Sequence, residues 1–153
     1  VKEVNLFLDH SILGCDISDY KGVLKPFKQG LSELTGIPSL AYNFCYADRP
    51  LEFLGERINY VYFKVKNEKI NKVFFEIHDL DLNHNFFERL IEHFGYPVRN
   101  GKEVNQQDFN DLKNVQSIIW KLNETHFFRL ENLYESNKKQ KRKFWCSFLL
   151  VKL

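Results

Sequence analysis

Two imidazoles and two carboxylates fall within one short stretch, His78-Asp79-Leu80-Asp81-Leu82-Asn83-His84, and a zinc or iron ion takes that ligand mixture. His78, Asp79, Asp81 and His84 are therefore the candidate metal ligands. The same residue types serve a strand-to-helix junction, where Asp and Asn turn the backbone and cap free amides, and that reading outweighs the metal one. His10 lies five residues before Cys15, with Asp9 and Asp16 beside them, which brings a thiol, a base and an acid together. No Gly-rich elbow frames that thiol, and no G-x-S-x-G, Walker loop or G-x-G-x-x-G occurs in the chain. The carboxylate pairs Glu52/Glu56 and Asp108/Asp111 sit among polar residues, as solvated faces do. The reading leans away from an enzyme and expects no cofactor, with a metal-dependent enzyme centred on His78 and His84 as the lesser alternative.

Two further groups of residues suit binding. Lys138, Lys139, Lys141, Arg142 and Lys143 lie between two aromatic-rich strands, where a basic loop could grip phosphates while rings stack on bases. A Lys-rich hairpin tip also discourages sheet edges from pairing, so nucleic acid is the alternative partner and not the leading one. A net charge of +2 is too balanced to favour a polyanion by itself. The 15 Phe and 7 Tyr supply the second group. Tyr60, Tyr62, Phe74 and Trp145 fall on the sheet positions that alternate with the expected core positions, so they form an exposed aromatic face suited to another protein.

The elements that must position these residues follow from periodicity. Ile17, Tyr20, Leu24 and Phe27 recur at helical spacing, and Gly36-Ile37-Pro38 closes that segment, which predicts a first helix. Period-two alternation predicts strands over 40–46, 58–66 and 70–78, with Val61, Phe63, Val65, Val73, Phe75 and Ile77 facing the core and a turn at Asn67-Glu68. Residues 47–55 read as a connection. Phe86, Phe87, Leu90, Ile91 and Phe94 form the stripe of a second helix that Gly95 and Pro97 end. Strands near 115–122, 126–134 and 144–151 complete the chain.

The fold expected is α+β: one compact domain over 1–153, with an antiparallel sheet of about six or seven strands and two main helices on one face. The Gly-x-Pro stops at Gly36 and Gly95 and the Asn-Glu turns at Asn67 and Asn123 are spaced almost equally, which suggests a tandem helix-plus-meander duplication over 12–78 and 83–153. On Leu34-Thr35-Gly36-Ile37-Pro38 and His93-Phe94-Gly95-Tyr96-Pro97, with the strands after each, the chain resembles the helix-plus-meander units of the SmpA/OmlA lipoproteins and of β-lactamase-inhibitor-like proteins. That resemblance implies a curved sheet that binds a protein, and it carries over no functional residue.

Hydrophobic residues at 44% and charged residues at 27% indicate a globular chain, and no apolar run is long enough to span a membrane. Three widely spaced cysteines predict reduced thiols. With an opening Val1-Lys2-Glu3-Val4-Asn5 that lacks a signal-peptide layout, they predict a cytoplasmic protein unless a leader has been removed. The function expected is a protein-binding module of the immunity, inhibitor or adaptor kind.

Overall fold

Alternating apolar and polar side chains generate most of the structure, because period two presents one side of each strand to a common core. The computed structural model describes residues 9–26, 44–80, 84–99, 102–103, 117–133 and 142–151, with backbone alone at 78–80, 84–85, 87, 98–99, 102–103, 132–133 and 142–144. The strands are β1 (Lys25–Pro26), β2 (Phe44–Tyr46), β3 (Leu51–Phe53), β4 (Glu56–Ile58), β5 (Val61–Lys66), β6 (Lys69–Leu80), β7 (Val98–Arg99), β8 (Lys102–Glu103), β9 (Ser117–Lys121), β10 (His126–Leu133) and β11 (Arg142–Leu150). Seven of them make one antiparallel sheet in the order β1-β2-β5-β6-β11-β10-β9, while β3-β4 and β7-β8 are separate hairpins.

The expected α+β class with two main helices is corrected. Among the described residues strand accounts for 54% and helix for 18%, so they are mostly β, and they contain one α-helix, α1 (His84–Phe94). Where the first helix was expected, Ile17–Tyr20 forms only a 3-10 turn, and the chain then passes through Gly22 at φ +86° into the edge strand β1. Tertiary hydrogen bonds outcompete the helix there. Gly14 N–H donates to Ile70 O at 2.8 Å, Ile17 N–H to Glu68 O at 2.9 Å and Ile70 N–H to Cys15 O at 3.0 Å, which fasten 14–17 to the β5-β6 hairpin. Tyr20 and Leu24 are still buried, so the apolar spacing was met without a helix. Pro26, which lacks an N–H, is tolerated because β1 is terminal in the sheet. Gly36-Ile37-Pro38 lies outside the described residues.

The sheet is joined across the two halves by β6 against β11, from Arg142↔Leu80 to Leu149↔Lys72. The connection expected over 47–55 holds the β3-β4 hairpin, whose Leu54-Gly55 turn has φ +49° and +85°.

Phenylalanine builds the core. Phe53 lies 5.0 Å from Phe75 and 5.7 Å from Phe128, and Phe94 lies 4.9 Å from Phe128, which is itself 5.1 Å from Phe148, all in tilted or edge contacts. The β3-β4 hairpin and α1 thus share one face of the sheet. Arg89 couples them: its Nη1 donates to Leu54 O and its Nη2 lies 3.1 Å from Glu56 Oε1. At the other end of α1, Gly95 takes φ +83° to stop the helix, and Trp120 Nε1 donates to Gly95 O at 2.9 Å. No helix among the described residues is long and apolar enough to cross a membrane.

Candidate functional site

On the sheet face away from that core, three rows of side chains cross the central strands. Tyr62 of β5 pairs with Phe74 of β6, Phe74 with Ser147 of β11, and Ser147 with Arg129 of β10. The next row runs Glu76, Trp145, Glu131, and the row on the other side runs Lys64, Lys72, Leu149. Tyr62 and Phe74 centroids are 6.0 Å apart, and Phe74 meets Trp145 edge-on at 5.7 Å.

The expectation of an exposed aromatic face is corrected for three of its four rings. Tyr62 is 6% exposed, Phe74 1% and Trp145 9%. Alternation along a strand assigns a side chain to a face, but whether that face is covered depends on chain remote in sequence. A signal was nonetheless present: Val73-Phe74-Phe75 and Trp145-Cys146-Ser147-Phe148 are consecutive buried runs, and such runs mark strands enclosed on both sides. Tyr60 differs. It is 58% exposed, and its ring stacks on Tyr62 at 6.4 Å with planes 10° apart.

Charged groups share this face, and the sequence reading passed them over. Arg129 Nε stands 2.8 Å from Glu131 Oε1, an ion pair and not an aligned hydrogen bond. Burial, and then the Arg129 guanidinium, pull the Lys72 ammonium down to about 8, against the opposing pull of Glu131. Burial, with Glu76 second, raises the Tyr62 phenol above its ordinary value. Nothing in the local sequence of these residues marks them; only the strand register brings them side by side.

Most of the other candidate side chains lie outside the described residues. His78 and Asp79 lie in the backbone of β6 and His84 opens α1, while their side chains and all of Asp81 fall outside the described residues. Arg142 and Lys143 begin β11, and Lys138, Lys139 and Lys141 lie outside the described residues. Among the described residues no group of three or more His, Cys, Asp or Glu could hold a metal ion. Cys15 Sγ donates to Ser11 O at 3.5 Å, while the two ring nitrogens of His10 face His126 and Asp9. That imidazole is therefore turned to partners other than the thiol. None of Cys15, Cys45 and Cys146 is in a disulfide, and burial raises both Cys45 and Cys146 above the ordinary thiol range.

One cluster was missed altogether. His10 Nδ1 lies 2.8 Å from His126 Nδ1, 116 residues along the chain, and Asn123 Nδ2 lies 3.1 Å from the same His126 atom. No local signal could have paired these histidines. Comparison with family models, curated proteins and solved structures finds no match to this chain.

Proposed function

We propose that this chain is a non-enzymatic protein-binding module, of the immunity, inhibitor or adaptor kind, anchored on Tyr60. The observation that supports it is the state of that ring: more than half exposed, yet held parallel to an enclosed neighbour. Most exposed aromatics lose rotamer freedom on binding, whereas a ring already stacked loses little, and large amphipathic rings of this kind dominate interface energies. Exposed Arg57, whose Nε donates to Asn59 Oδ1 at 3.1 Å, supplies a polar neighbour three residues earlier. Tyr and Arg are the residue types enriched at such anchors.

The test is to purify the chain with its bound proteins from cells that make it, comparing wild type, Tyr60→Ala and Tyr96→Ala. Tyr96 is a second exposed ring, placed beside the helix stop, and serves as the control. Tyr60→Ala should weaken a stoichiometric protein partner by about 2 kcal/mol, roughly thirtyfold in Kd, at an unchanged Tm, while Tyr96→Ala keeps it. Full retention by Tyr60→Ala, or no stoichiometric protein on the wild-type chain, overturns the reading.

A further inference from the structure

The hydrogen positions in the His10–His126 contact can be deduced from its neighbours. Asn123 Oδ1 accepts the backbone N–H of Thr125 at 2.9 Å and of His126 at 2.8 Å, which fixes the amide with Nδ2 towards His126. An amide nitrogen only donates, so His126 Nδ1 is an acceptor and its ring hydrogen sits on Nε2. The hydrogen in the 2.8 Å contact therefore belongs to His10, whose Nδ1–H donates to His126 Nδ1. The Nε2 of His10 faces Asp9 Oδ1 at 3.8 Å, so a second hydrogen placed there would leave the contact with His126 intact.

His126 has no such freedom. A proton on its Nδ1 would oppose the Asn123 amide donor, and would oppose the His10 N–H as well whenever His10 keeps its Nδ1 hydrogen, as the doubly protonated ring must.

We propose that His10 and His126 form a proton-controlled latch, closed while His126 Nδ1 is bare and opened in acid, that ties the turn at His10–Ile12 to the start of β10. Burial, and then the charge of His10, hold His126 below the ordinary 6.5, the direction expected of a site that favours the neutral ring. The sign follows. The opened latch binds one proton more than the closed one, so the closed form is fully favoured above 6.5 and loses ground as pH falls from there through the lowered value. Among the described residues, Asp9 on its own turn faces His10, and the β9-β10 turn that holds Asn123 also carries the Lys121–Glu124 ion pair at 3.4 Å. Leu150 and Val151 of the β11 end contribute no charge. Opening is local, because Ile12 and Leu13 are buried in the core and residues 14–17 are bonded to the β5-β6 hairpin.

Two NMR measurements in EDTA buffer test the latch. At pH 7.5 the ring nitrogen shifts should show His126 protonated at Nε2 and His10 at Nδ1. The Leu13 amide, which donates to His10 O at 3.0 Å, should lose protection by about tenfold per pH unit, after correction for intrinsic exchange, as pH falls through the titration. His126→Asn keeps an acceptor oxygen near the Nδ1 position but cannot take a proton, and it should abolish that pH dependence. Protection that is constant from pH 7.5 to 5 in the wild type, an equal loss in His126→Asn, or an Nδ1 hydrogen on neutral His126 would each overturn the proposal. The ring shifts of the wild type decide it even if the variant does not fold.

Discussion

A lysine ammonium under a sheet is a burden whose size depends on pH, and Lys72 shows in which direction. Its value falls from the ordinary 10.5 to about 8, chiefly through burial. Between pH 8 and 10.5 the unfolded chain binds a proton that the folded chain lacks, so stability rises with pH across that window, and the full burden is present below pH 8. Lys72→Met should therefore raise Tm at pH 7, by roughly 2–4 °C for each kcal/mol recovered, and raise it less at pH 10. Thermal melts at the two pH values check this, and an equal gain at both would mean that the charge is not the cost. Tyr60 belongs to the same scale: two residues from an enclosed ring of the same type, it alone of the four aromatic candidates reaches solvent. The difference cannot be read from residue type.

Turns and edges show the sequence acting at the scale of elements. Asn67 and Glu68 both take positive φ, +52° and +63°, as the two-residue turn between β5 and β6 requires. Asn tolerates that region, whereas Glu pays about 1 kcal/mol or more for it. Glu68→Gly should thus stabilise the fold by about 1 kcal/mol, less a few tenths for the added freedom of the unfolded glycine, and chemical denaturation measures it. A fall in stability would show that the Glu68 side chain contributes more than its backbone costs. Its carbonyl, which accepts from Ile17 N–H, is kept in the variant. The helix stop at Gly95 and the stripe of Phe86, Leu90, Ile91 and Phe94 were legible because both are local: a left-handed glycine and a 3.6 period. The helix expected from Ile17 was not, because residues 14–17 find backbone partners more than fifty positions away.

At the scale of the molecule, one seven-stranded layer has buried side chains on both sides, and that arrangement can be tested without knowing a partner. The chain has two tryptophans, Trp120 in the core and Trp145 on the other face, both buried. In Trp120→Phe the remaining Trp145 should fluoresce as an enclosed indole, blue-shifted from free tryptophan and poorly quenched by acrylamide. Quenching as efficient as that of the unfolded chain would restore the open-face reading. By itself the sequence determined the longer strands of the sheet, their alternating sides, the Asn67-Glu68 turn and helix α1, since each depends on sterics and periods within a few residues. Only the tertiary structure decided which face is enclosed, that 14–17 is bonded to a hairpin while Ile17–Tyr20 forms only a 3-10 turn, and that His10 meets His126. Such contacts join segments far apart in the chain, and the entropy of closing those long loops is recovered only when the whole sheet has assembled.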